Sequence, residues 1–184
     1  MTQLQDKFFE LWVAALNSGD YKQGFERLAK DEEYCCLGVA CEVYNKMCDA
    51  GIANLTPEQK MPLGSNNVGE KTYDGEGAES PHMLNRMLGL QLNEEVVKIT
   101  EEVVEMFKTN RSDYYIDSDD EEAERLAMIV SDFRVGFETN LANLNDSAAL
   151  DFKDMALIIA ANKEALTVQP VKRGEDETAS ESIH

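Results

Sequence analysis

Cys35 and Cys36 stand side by side at the head of an apolar stretch, with Cys41 and Cys48 farther along it. Two chemistries suit thiols placed like this. Backbone amides at a helix start favour a thiolate over a thiol, so Cys35 or Cys36 would become a nucleophile if a base stood near. The histidines are His82, preceded by a cap-like Ser80-Pro81, and His184 at the end of the chain, and neither forms an evident pair with the thiols. Zinc is the other chemistry, and the spacing is wrong for it. Adjacent side chains point in different directions, and Cys41 to Cys48 lacks the short paired spacing of structural zinc ligands. No metal and no cofactor is expected. The plainer reading makes the cysteines small buried hydrophobes, with Gly38 letting another backbone approach the helix.

Polar turns offer the other candidates. Tyr21, Gln23 and Arg27 follow the first helix, Asn145-Asp146 lies between later helical segments, and Tyr73 sits in a glycine-rich loop spanning 64–79. These six are the candidate ligand- or partner-contacting residues, because function tends to be carried by loops on a rigid scaffold. Asn and Asp in such places also cap helices and close Asx-turns. The acidic run from Asp117 to Glu124 is not a calcium loop. Glu122 stands where the turn needs glycine, and Met128 where a bidentate glutamate belongs.

Composition narrows the function classes. Of 184 residues, 36 are acidic and 17 basic, for a formal charge of -19, which repels phosphate backbones and anionic lipid. Direct nucleic-acid binding is the least favoured class; solubility or a basic protein partner suits the charge better. No apolar run approaches the ~18 residues of a membrane span, and the N-terminus lacks the pattern of a signal peptide. A cytoplasmic protein with reduced thiols is expected, without a membrane partner.

The periodicity predicts helices around these residues. Thr2 and Gln5 fit a capping box, and Phe8, Leu11, Trp12 and Leu16 continue an amphipathic helix to Ser18-Gly19. The span 20–33 is read as a turn with a short helical piece. From Cys36 to Met47 apolar residues occupy more than one face, so that helix should be central and buried. Thr56-Pro57-Glu58-Gln59 forms a capped turn, and Lys71-Thr72-Tyr73 before Asp74-Gly75 forms a strand of a small hairpin. Further helices are expected from Ser80-Pro81 to Gly89, from Asn93 through Phe107, from Ser118 through Phe137, and from Asp151 to about Leu166. Beyond Thr167 the chain is polar and expected to be disordered.

Several of these pieces together resemble an uncharacterised family common in bacteriophage genomes. They are Trp12, then Ser18-Gly19-Asp20-Tyr21-Lys22-Gln23, then Tyr34-Cys35-Cys36-Leu37-Gly38-Val39. Leu88-Gly89-Leu90, Leu144-Asn145-Asp146 and Phe152 with the Met155-Ala156 to Ile159 run resemble later blocks of that family. No activity comes with the resemblance.

The expected fold is a mainly α single domain over 1–166, with five to six helices around the cysteine-bearing helix, a small β-hairpin around 64–79, and a disordered acidic tail over 167–184. The expected function is that of a non-enzymatic phage accessory protein that binds a host protein in the host cytoplasm, in takeover or counter-defence. Two alternatives stand beside it: a protein that sequesters a small-molecule nucleotide signal, and a cysteine-dependent enzyme using Cys35 or Cys36.

Overall fold

The computed structural model describes residues 1–94, 96–101, 103, 105, 138–146 and 150–168. Among them the chain forms α1 (Gln3–Ser18), β1 (Lys22–Gln23), β2 (Ala29–Lys30), β3 (Glu33–Tyr34), α2 (Cys36–Asp49), β4 (Leu63–Gly64), β5 (Glu70–Tyr73), α3 (His82–Leu88), β6 (Val97–Lys98), β7 (Glu138–Thr139), α4 (Leu141–Asp146) and α5 (Phe152–Ala161). No helix among the described residues is long and apolar enough to cross a membrane.

Helix α1 begins at the expected capping box, with Thr2 and Gln5 bonding each other's backbone, and ends at Gly19 with φ 78°. Its Phe8, Phe9 and Trp12 are fully buried, and it packs chiefly on α5 and α2. The indole N–H of Trp12 donates to the Cys36 carbonyl at 3.0 Å, which ties α1 to the start of α2. Helix α2 is central, as apolar residues on more than one of its faces predict: Cys36, Val39, Ala40, Cys41, Tyr44 and Cys48 are all fully buried.

The mainly α expectation is overturned by a five-stranded mixed sheet in the order β1-β3-β2-β5-β4, alongside a separate β6-β7 pair, so the fold is mixed α/β. Span 20–33 carries three of those strands and no helix. It escaped the sequence reading because strands of two residues are too short to show alternation. The β2-β3 hairpin also turns on Asp31 and Glu32, with φ 50° and 67°, where turns of this hand usually carry glycine or asparagine. The strand expected at 71–73 is present as β5, but it lies inside the sheet, between β2 and β4. Asp74-Gly75 turns after it, with Tyr73 and Glu76 exchanging backbone bonds of 2.9 and 3.0 Å.

Two smaller expectations fail in the same way. Asn93 caps no helix; its side chain bonds Ser80, Val97–Lys98 is extended, and of the helix expected through Phe107 the described residues Glu101, Val103 and Glu105 are helical. The last helix stops at Ala161 instead of Leu166. The helix expected from Ser118 through Phe137, the acidic run at 117–124 and the tail after Val168 lie outside the described residues.

One contact seats the sheet on α2. Leu28 presents its backbone to Gly38, and its carbonyl accepts from the Cys35 N–H at 3.2 Å. A Cβ at position 38 would stand 1.7 Å from the Leu28 oxygen and 2.6 Å from its carbonyl carbon. Both atoms are backbone, so relief requires moving the strand or the helix. Gly38→Ala therefore separates two effects of opposite sign. Helix propensity alone would stabilise by about 1 kcal/mol, whereas overpacking costs about 1–3 kcal/mol or more. Urea unfolding of Gly38→Ala should show a net loss of stability; an unchanged or raised midpoint would refute the contact.

Candidate functional site

The thiols come first. Cys35 is the N-cap of α2, and its sulfur accepts from the Gly38 N–H at 3.4 Å. Burial pushes the Cys35 thiol up to about 11, against the smaller opposing pull of the helix-start amides. Cys36 and Cys41 are fully enclosed, and burial raises both thiols well above the ordinary range. The helix start does act on Cys35, but desolvation outweighs it. These are protonated packing residues at neutral pH, an environment opposite to that of an activated cysteine.

Three of the six candidate residues meet at the head of α2. Asn145, fully buried at the end of α4, accepts from the Cys36 N–H at 2.9 Å and donates to the Gly24 carbonyl at 3.0 Å. Asp146 accepts from the Glu26 N–H at 3.0 Å, holding a residue whose φ is 62°. Gln23 donates to the Leu150 carbonyl at 2.9 Å. Each of the three bonds a backbone group of a distant segment, and Asn145 also donates to Asp146 at 3.2 Å. These bonds fasten α4 and the chain after it to β1 and α2.

Tyr21 and Tyr73 belong to a second group, which includes four residues the sequence reading did not single out. Sheet register places Tyr34 opposite Ala29 and Ala29 opposite Lys71, so the three line one face in a row. The small Ala29 lets Lys71 reach over it, and the ammonium donates to the Tyr34 hydroxyl at 3.3 Å. From the facing side α2 contributes Glu42, whose Oε1 accepts from Lys71 at 2.7 Å and from the Tyr73 hydroxyl at 2.5 Å. One helical turn on, Lys46 donates to the Tyr21 hydroxyl at 2.8 Å. Tyr21 and Tyr34 pack edge to face with ring centres 5.3 Å apart. Lys46 sits 5.0 Å from the Tyr21 ring centre, much farther than from the hydroxyl, so it meets the phenol at its oxygen and not over its face. The seam thus alternates phenols with ammonium groups about one carboxylate. Tyr73 closes it at the buried end, and Lys46 is exposed at the other. The signals that could have found it are the i, i+4 pair Glu42/Lys46 and the i, i+2 pair Lys71/Tyr73.

Charge sets the protonation states in this seam. Burial alone would raise the Glu42 carboxyl, yet hydrogen bonds from Lys71 and Tyr73 and the nearby ammonium charges hold it below its ordinary value. Lys71 is the converse: burial would lower it, and Glu42 and Tyr34 raise it. Burial and Glu42 together push the Tyr73 phenol far upward.

Arg27 stands apart from both groups. It pairs with Glu70 at 3.0 Å on the other face of the sheet, where Lys22 also pairs with Glu33. Among the described residues no group of three or more His, Cys, Asp or Glu could hold a metal ion.

The family model described as Domain of unknown function (DUF8296) matches residues 4–163, and the chain belongs to that family. No curated protein and no solved structure matches it.

Two outcomes follow from this geometry. Native protein at neutral pH should be alkylated at its cysteines about a hundredfold more slowly than protein unfolded in urea, since two pKa units remove that much thiolate at Cys35 and burial blocks the rest; rapid labelling of one native cysteine would revive the nucleophile. For Glu42 the sign follows from its lowered pKa. Its contribution is fully present above the ordinary carboxyl value of 4.5 and is lost as the pH falls through the lower folded value. Glu42→Gln should cost about 1–3 kcal/mol at neutral pH, with a difference from wild type that shrinks under acid in pH-resolved urea titrations. A gap that stays constant down to strong acid would contradict the assignment.

Proposed function

We propose that this member of the DUF8296 family acts by binding a protein partner and not by catalysis, through the exposed end of the tyrosine–lysine seam. The observation that carries the reading is the pairing of Tyr21 and Tyr34, both half-buried, beside the exposed Lys46. Tyrosines of this kind give a large rigid apolar face with a polar tip, and such residues dominate protein interfaces at low entropic cost. The raised thiols remove the support for a cysteine enzyme.

The resemblance of the Tyr34 to Val39 block to bacteriophage sequences favours a host protein as the partner, in takeover or counter-defence within the host cytoplasm. A charge of -19 favours a partner that is basic overall. Sequestering a nucleotide needs cationic and aromatic groups, such as Lys22, Arg27 and Tyr73, to converge on one pocket. Each instead bonds a different carboxylate, Glu33, Glu70 and Glu42 respectively, so the groups it needs are dispersed.

The test is comparative capture from host lysate. Wild type, Tyr21→Ala with Lys46→Glu, and a control Lys22→Glu on the opposite sheet face would be matched for thermal midpoint, then compared by quantitative mass spectrometry. A protein retained by wild type and the control but depleted about tenfold or more by the double variant supports the reading, since interface tyrosines at hot spots are worth ≥ 2 kcal/mol. Equal capture by all three, or capture of none, refutes it.

A further inference from the structure

The seam has an unspent donor capacity. Tyr21 uses its hydroxyl oxygen to accept from Lys46, and Tyr34 uses its own to accept from Lys71. Neither phenol donates its proton to any described residue. The contrast is Tyr73, whose hydroxyl donates to Glu42 within the same seam. Lys46 has three N–H donors and spends one on Tyr21; Glu42 and Asp20 act on its charge through space, with no carboxylate in ion-pair contact among the described residues. A phenol that accepts from an ammonium is a polarised and therefore stronger donor. The open end of the seam consequently presents donors side by side, the Lys46 ammonium and the Tyr21 O–H being 2.8 Å apart, with the Tyr34 hydroxyl beyond.

Resting on the binding function proposed above, we infer that the group recognised there is a carboxylate from a peptide segment, either an acidic side chain or a chain terminus. Its two oxygens accept from Lys46 and Tyr21, and the peptide lies along the Tyr21 and Tyr34 rings. Net charge selects a carboxylate over phosphate. The chain's field of -19 opposes any anion, and it opposes a dianion about twice as strongly as a monoanion. Glu42 shows the same chemistry inside the protein: one carboxylate oxygen bridging a lysine ammonium and a tyrosine hydroxyl. The inferred ligand meets the same pair of donors, a lysine ammonium and a tyrosine hydroxyl, at the surface.

The experiment titrates full-length protein at constant ionic strength with acetate, inorganic phosphate, a short peptide with an internal glutamate and blocked ends, and the same peptide with glutamine and a free C-terminus. NMR shifts of ring-labelled tyrosines give the readout. Saturable shifts at Tyr21 and Tyr34 with acetate and at least one peptide are expected, with the peptides identifying the carboxylate's source. Affinity should fall about tenfold or more in Tyr21→Phe, which keeps the ring and removes the donor, and similarly in Lys46→Met, but not in Lys22→Met. Non-saturable shifts, tighter binding of phosphate than of acetate, or an unaltered Tyr21→Phe would each overturn the inference. Partner capture separates the two levels: if it survives Tyr21→Phe but not Tyr21→Ala, the seam is an interface through its rings, and the carboxylate assignment alone falls.

Discussion

The backbone of Leu28 lying on Gly38 is the constraint from which the rest of the arrangement follows. Because α2 has no side chain at that point, a carbonyl can sit where a methyl group would be, and the sheet descends onto the helix at van der Waals distance. That approach fixes the height of Ala29 and Tyr34 above α2, and so the distance that Lys71, Glu42 and Tyr73 must bridge. It also aligns the Leu28 carbonyl with the Cys35 N–H, one of the groups at the helix start that needs an acceptor. Trp12 and Asn145 complete the same junction, taking the Cys36 carbonyl and N–H respectively.

Strands of two residues supply few ladder bonds, and the polar backbone around them still has to be satisfied where it is buried. In this chain carboxamide side chains do much of that work. Asn45 accepts from the Met61 N–H and donates to its carbonyl, at 2.8 and 3.3 Å. Asn93 does the same for Ser80, and Asn162 for Lys98. Each primary amide imitates the edge of a neighbouring strand and joins segments distant in sequence. The fold is thus sewn by side chains where a longer sheet would use backbone. No buried side-chain nitrogen or oxygen among the described residues is left without a partner.

This division explains what could be read from the chain. The helices announced themselves locally: Thr2 with Gln5, and Asp151 with Asp154, are capping boxes within one turn, and α2 has apolar residues on more than one face. Gly38 was legible as a place of close approach, since nothing else about the helix calls for glycine there. The sheet was hidden because its signal is pairing, which joins residues such as Ala29 and Lys71 across the intervening α2. The site was half hidden for the same reason. Tyr21 and Tyr73 stand out as aromatic residues in polar turns, but Glu42, Lys46 and Lys71 look like ordinary surface charges until α2 is laid over the row Tyr34, Ala29, Lys71. Asn145 and Asp146 were legible as polar residues between helices, and only their partners show that they hold backbone.

Lysines are scarce in this chain and carboxylates abundant, 36 acidic residues to 17 basic, so the default fate of a lysine is an acidic neighbour. Lys7, Lys22, Lys60 and Lys71 follow it, and the outer face of the sheet alternates Lys22, Glu33, Lys30 and Glu70 across four strands. Apart from the half-buried Lys71–Glu42 pair, these exposed pairs add little stability one by one, but opposite charges in facing positions favour the register over its slipped alternatives. Lys46 takes a different hydrogen-bond partner. It lies one turn from Glu42 on the same helix, yet Glu42 is committed to Lys71 and Tyr73, and Lys46 leans on a neutral phenol. This ammonium–phenol contact, with the Glu42 and Asp20 charges acting on Lys46 through space, stands in place of an ion pair. Because it occurs where two tyrosine rings reach the surface, charge and aromatic area coincide at one place on α2.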